Sequence, residues 1–179
     1  MLIRRLADCP QVPWRNGAGT TRELYVDDHL RVTVASERSE AAFSDFSGWS
    51  RTIVPLGEGL SLLVGERPEV SIPAWSPFAF SGAERVRARL AAGPIDAFNI
   101  MTRDGALVHR MLSLPLASPP VPRKIALFLV AGEVALPGAR LRAGSFALAE
   151  TRSQSKEIAL LWLPPGTVAL AFELAPAPG

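Results

Sequence analysis

Polar and apolar residues alternate along much of this chain, and where a period can be read it is two. In "RVTVAS" (31–36) and "RVRARL" (85–90) the character switches residue by residue. The second run sets Arg85, Arg87 and Arg89 on one face and Val86, Ala88 and Leu90 on the other. Neighbouring side chains of an extended strand point to opposite sides, so each run predicts a strand buried on one face. The runs "TIV", "LSLLV", "KIALFLV", "EIALLWL" and "TVALAFEL" are apolar throughout and predict more deeply buried strands. Sixteen prolines and fourteen glycines punctuate these runs and leave little room for long helices. Only "SEAAFSDFSGW" offers a short helical turn.

The proline-rich stretch "SLPLASPPVPR" (113–123) marks a boundary. It predicts an N-terminal barrel over residues 1–113, a connector over 114–122 and a C-terminal barrel over 123–179, with strands open to exchange between the two. A faint repeat crosses the connector. "LLVGERPEVSIPAWSPFAF" from Leu62 and "FLVAGEVALPGARLRAGSFAL" from Phe128 share a hydrophobic strand, Gly-Glu, a proline-containing turn and a Phe-Ala strand. Glu66 then answers Glu133 and Phe78 answers Phe146, with one residue of slip; chance likeness between β-rich segments is the competing explanation. The expected fold is all-β: a bicupin, two small cupin-like or jelly-roll barrels packed together.

Composition narrows the classes of function. At 179 residues with 48% hydrophobic and 20% charged side chains, the chain can bury a substantial core. No apolar run approaches the ~18 residues of a membrane span, and "MLIRRLADCP" lacks a signal peptide's apolar core. A cytoplasmic protein without membrane partners is expected. The net charge is only +2, and the basic residues, nearly all arginine, are interleaved with acids. Nucleic-acid binding calls for a concentrated basic stripe, so no nucleic-acid partner is expected. The single cysteine, Cys9, excludes an internal disulfide and reads as a buried or incidental thiol.

Cupin barrels usually hold a metal on His-x-His, a Glu and a further His. This chain has only His29 and His109 and no His-x-His, so neither a metal nor another cofactor is expected. His109 in "LVHRML" reads as a strand residue with an ordinary hydrogen bond. Trp49 and Trp75 read as packing or surface residues, and Trp162 in "ALLWLPP" as C-terminal core.

The stretch "PWRNGAGTTREL" (13–24) invites a test for phosphate chemistry. A Walker loop needs Gly-x4-Gly-Lys-Ser/Thr, and here the lysine is missing and the spacing is wrong. A dinucleotide fingerprint needs a third glycine where Arg22 stands, a strand before and a helix after. Pro13 and the strand-like "RELYV" oppose both contexts. What remains is a loop whose glycines allow close backbone approach, serving either as a plain turn or as a ligand-facing rim.

"PWRNGAGTTRE" resembles the N-terminal signature of the HutD/Ves family, Trp-Lys/Arg-Asn-Gly-Gly-Gly-x-Thr-x-Glu. "RVTVASERSEAAFSDFSGWSRTIVPLGEGLSLLV" (31–64) and "FAFSGAERVRARLAAGPIDAFNIMTR" (78–103) resemble two further blocks of that family. Ala18 departs from the pattern where a third glycine is usual. The resemblance implies a bicupin and a link to histidine utilisation, in which HutD restrains the pathway by binding a metabolite; the Ves branch is tied to stress response. Matched positions are Trp14, Asn16, Gly17, Gly19, Thr20, Thr21 and Glu23 in the first block. Phe43, Ser44, Phe46, Gly48 and Arg51 match the second, and Asp96, Asn99, Met101 and Arg103 the third.

Of these, Trp14, Asn16, Gly17, Gly19, Thr20, Glu23, Phe43, Arg51, Asp96, Asn99 and Met101 are the candidate ligand-binding residues. A guanidinium clamps a carboxylate through two parallel hydrogen bonds, and the aromatic residues and Met101 supply an apolar wall. Arg51 could instead pair with Glu23 or Asp96, and Phe43, Phe46 and Met101 could be core. The expected function is metal-free binding of a small carboxylate metabolite, with a regulatory role. The alternatives are a metal-independent isomerase or hydrolase using Glu23 as acid/base, and a stress-response or protein-interaction module, with a homodimer possible.

Overall fold

The computed structural model describes residues 1–14, 17–90, 93–116 and 124–178. Within them the chain is strand after strand: β1 (Leu2–Arg5), β2 (Gln11–Pro13), β3 (Gly19–Val26), β4 (Leu30–Glu37), β5 (Trp49–Leu56), β6 (Leu60–Val64), β7 (Val70–Ile72) and β8 (Phe78–Ser81). There follow β9 (Val86–Arg89), β10 (Ile95–Arg103), β11 (Leu107–Leu112), β12 (Lys124–Ala131), β13 (Glu133–Leu136), β14 (Ala139–Arg142), β15 (Ser145–Leu148), the helix α1 (Arg152–Ala159) and β16 (Val168–Pro176). The fold is all-β and cupin-like.

Two compact units divide the chain, one of residues 10–106 and one of residues 1–9 with 107–179. The predicted division at 113 falls inside the second unit, because β11 pairs with β16 over Leu107↔Pro176 to Leu112↔Ala171. The N-terminal strand β1 also belongs there, paired with β15. Most of the predicted connector (117–122) lies outside the described residues.

In the unit 10–106 a six-stranded sheet runs β2-β3-β4-β10-β5-β8, and a three-stranded sheet runs β7-β6-β9. Their shared core gathers Ile53, Leu60, Leu62, Val64, Ile72, Val86 and Ala97. The other unit has a five-stranded sheet β1-β15-β12-β16-β11 and a hairpin β13-β14. Its core joins Ile125, Leu127, Leu129, Val134, Leu141 and Ala171 to Ile158 and Ala159 of α1.

The internal repeat is visible in the topology, but not in the register read from sequence. In one unit β5 leads to β6 and β7, and β8 returns to pair with β5. In the other β12 leads to the hairpin β13–β14, and β15 returns to pair with β12. The two Phe-Ala strands therefore hold equivalent places, whereas the run at Leu62 lies in β6 and the run at Phe128 in β12. The counterpart of β12 is β5.

Three expectations are corrected. "SEAAFSDFSGW" forms no helix: Ala42 bridges to Arg87, and the amides of Phe43 and Phe46 donate to Val86 O and Gly82 O. The segment is held extended because neighbouring backbone takes up its polar groups. "EIALLWL" is not a strand, since α1 runs through its first three residues. Thr151 caps that helix by accepting from the Gln154 amide. Ser155, Ile158 and Ala159 then fall on one buried face at helical spacing. Trp162, expected in the core, stands 64% exposed beyond the helix end.

Candidate functional site

The site grows from the alternation of β4. Val32 and Val34 are buried on one face of that strand, and Arg31, Thr33, Ala35 and Glu37 on the other all line a cavity of about 700 Å³. Antiparallel pairing sets neighbouring strands in register with this row. Met101 of β10 lies between Arg31 of β4 and Arg51 of β5, and Asn99 lies beside Thr33. Thr21 and Glu23 of β3 extend the floor, and a bulge follows between Glu23 and Tyr25. The whole cavity is built within residues 12–101 of one unit.

Its electrostatics centre on two buried charges. Arg51 is 6% exposed, and its guanidinium lies among three rings, 4.8 Å from Phe80 and 5.2 Å from both Phe43 and Phe46. Such faces attract a cation while leaving its N–H groups without acceptors. One polar contact is a long one: Nη2 donates to Asn99 Oδ1 at 3.4 Å, while Nε is buried with no hydrogen-bond partner. Asn99 is itself oriented by donating through Nδ2 to Ala97 O.

Glu37 is 1% exposed, and its Oε2 is buried with no hydrogen-bond partner. Burial pushes its carboxyl up to about 7, against the pull of the Arg51 charge. Burial likewise lowers Arg51 to about 10, opposed by Glu37, so the guanidinium stays charged at neutral pH. A second arginine also has a buried Nε with no hydrogen-bond partner, but its charge is paired. Arg31 pairs with Glu23 at 2.8 Å and lies 5.6 Å from the Phe46 ring.

The glycine loop shapes one wall. The Trp14 amide donates to Gly19 O and the Gly17 amide to Trp14 O, with Gly17 at φ +71°. A Cβ on Gly19 would lie 2.5 Å from Ser36 O and 3.2 Å from the Trp14 ring, so only glycine lets the indole settle there. Trp14 Nε1 donates to Thr21 Oγ1 at 2.7 Å, which locks the ring against the cavity.

Of the residues singled out from sequence, Trp14, Glu23, Phe43, Arg51, Asn99 and Met101 line the cavity, as do Thr21, Ser44 and Phe46. Gly17 and Gly19 support the wall without lining it. Thr20 accepts from Gln11 on the opposite face of β3 from Thr21, and Asp96 accepts from Ser36 on the opposite face of β10 from Asn99. Each is an odd number of residues from a cavity-facing neighbour, so the strand turns it to its other face. Asn16 lies outside the described residues. Arg51 pairs with neither Glu23 nor Asp96, which are engaged by Arg31 and Ser36. Glu37, Arg31, Thr33 and Ala35 were not singled out. Their signal was the polar side of β4, which sequence reading assigns to solvent.

Among the described residues no three His, Cys, Asp or Glu side chains gather as a metal site would need, and no helix is long and apolar enough to cross a membrane.

The HutD family profile matches residues 6–163. A 21.2 kDa uncharacterized protein in the hutC 3' region of Pseudomonas putida is 35% identical over 107 residues, 55% of this chain and 56% of that protein. Protein Ves of Escherichia fergusonii is 39% identical over 99 residues, 50% of this chain and 51% of that one. The matched segments thus span about half the length of these curated relatives. The solved structure of HutD from Pseudomonas fluorescens SBW25 covers 99% of both chains with a TM-score of 0.80 and 26% identity.

Proposed function

The chain belongs to the HutD family, which ties it to the context of histidine utilisation, and from that premise we propose that it is a regulatory binding protein for a small carboxylate metabolite. The observation that carries this reading is Arg51. It is a buried, permanently charged guanidinium ringed by Phe43, Phe46 and Phe80, with donors left over. A ligand carboxylate supplies the two acceptors that the rings cannot, while Trp14, Phe46 and Met101 offer apolar walls to its body. Glu23, the acid/base of the enzyme alternative, is 47% exposed and tied to Arg31. The site is equipped for recognition rather than proton transfer at that residue.

Calorimetric titration with urocanate, a monocarboxylate, tests this reading. Saturable binding by the wild type is expected, weakened in Arg51→Gln by about 2–5 kcal/mol, the range for truncating a buried charge that has a partner. Absence of heat with urocanate, or equal affinity in the variant, would sink it.

A further inference from the structure

Four charged side chains line the cavity, and two of them cancel: Arg31 and Glu23 form an ion pair at 2.8 Å. Arg51 and Glu37 are left over. They influence each other electrostatically, yet among the described residues no ion pair joins them, and each keeps a buried polar atom with no hydrogen-bond partner. Their separation is built into the sheet. Arg51 lies abreast of Met101 and Glu37 abreast of Ile95, which are six positions apart on β10, roughly 20 Å of extended strand before the side chains reach inward.

What lies between these poles is small. Thr33 and Ala35 form the floor along β4, and the fixed indole of Trp14 contributes to the lining. The result is a slot with an acceptor-seeking cation at one end, a donor-seeking carboxyl at the other and room for a ligand body between. A buried carboxyl facing no donor is costly until something donates to it, and no described protein group donates to Glu37 Oε2.

Resting on the carboxylate reading above, we propose that the ligand has a second pole. It is zwitterionic, its carboxylate held by Arg51 and a planar nitrogen cation (a guanidinium, amidinium or imidazolium group) held by Glu37. Planarity fits because a carboxylate accepts two parallel N–H bonds from such a group, and the aromatic lining favours a flat one. The same arrangement selects against dicarboxylates, whose second anion would be driven into the Glu37 carboxylate.

Three probes of similar length separate the possibilities by calorimetry on the full chain at pH 7.5: 4-guanidinobutanoate, hexanoate and adipate. The wild type is expected to bind 4-guanidinobutanoate about tenfold or more tighter than hexanoate, with adipate weakest. In Glu37→Gln, its fold checked by thermal melting, that preference should shrink to within about threefold of unity. The preference order in the wild type is decisive even if the variant fails to fold. Adipate binding as well as 4-guanidinobutanoate would overturn the second pole while leaving the carboxylate reading intact. So would a preference that survives in a folded Glu37→Gln. Binding by none of the three would overturn both readings together.

Discussion

In the unit of residues 10–106 the strands β4, β10, β5 and β8 lie side by side, and in the other unit β11, β16, β12 and β15 repeat that order. The interiors differ. One holds Arg51, Asn99 and Glu37 around a cavity of about 700 Å³. The other is closed by Ile125, Leu127 and Leu129 of β12, Ala147 of β15, Ala171 of β16 and the buried face of α1. That helix stands between β15 and β16 in the chain, where the first unit has β9 between β8 and β10. One scaffold can thus be filled to close-packed density or left open, and the choice lies in a few inward-facing positions and one swapped connection.

The comparison makes the units separable by mutation. The largest effect is expected from Leu127→Ala, which opens a void in the filled unit. Its cost should be about 2–5 kcal/mol by chemical denaturation, with carboxylate affinity of the remaining folded protein unchanged. A loss of affinity matching the loss of stability would show that the units are not independent.

Next comes the pH dependence of the open unit. The Glu37 carboxyl is raised from 4.5 to about 7 on folding, so between those values the folded chain holds a proton that the unfolded chain has lost. Its contribution to stability is complete below pH 4.5 and disappears as pH rises through 7, a swing of about 3 kcal/mol at most. Denaturation curves at pH 5 and pH 8 should show the drop, and Glu37→Gln should flatten it.

The filled unit carries the opposite and smaller slope. Burial lowers His109 to about 4, and its ring meets Phe172 edge-on at 6.2 Å. Stability from this group is present above pH 6.5 and lost as pH falls through 4, because the unfolded chain takes up the proton first. The ring is partly exposed, which limits the swing to roughly 1–2 kcal/mol. His109→Gln should remove it, so the two variants together test whether acid and alkaline losses arise in different units.

Much of the fold was legible because period two, glycine and proline are local signals. The β-rich character and the repeat followed from them, whereas Phe43, Phe46 and Arg51 were singled out through the family resemblance. The helix α1 was missed because "EIALLWL" is apolar enough to pass for a strand, and its cap at Thr151 lies upstream of that run. Glu37 was missed for a deeper reason. Burial on one face shows in a sequence as Val32 and Val34, but whether the opposite face meets water or an interior depends on what folds over it. Here that is the segment around Phe43 and Phe46, pinned by Gly82 and Val86. No local pattern announces such a cover.

The row Arg31-Thr33-Ala35-Glu37 on β4 has a consequence for descent. Glu37, one pole of the slot, and the floor that leads to it are inherited as one block whose meaning depends on parity. Losing one residue ahead of the row would turn all four side chains outward and bring Val32 and Val34 in. One mutational event would then remove the Glu37 pole and the floor, with Arg51 left on β5, whereas the reverse route must restore the polar side chains of β4 one by one. Along such a lineage, abandoning the cavity is a short path and acquiring it a long one.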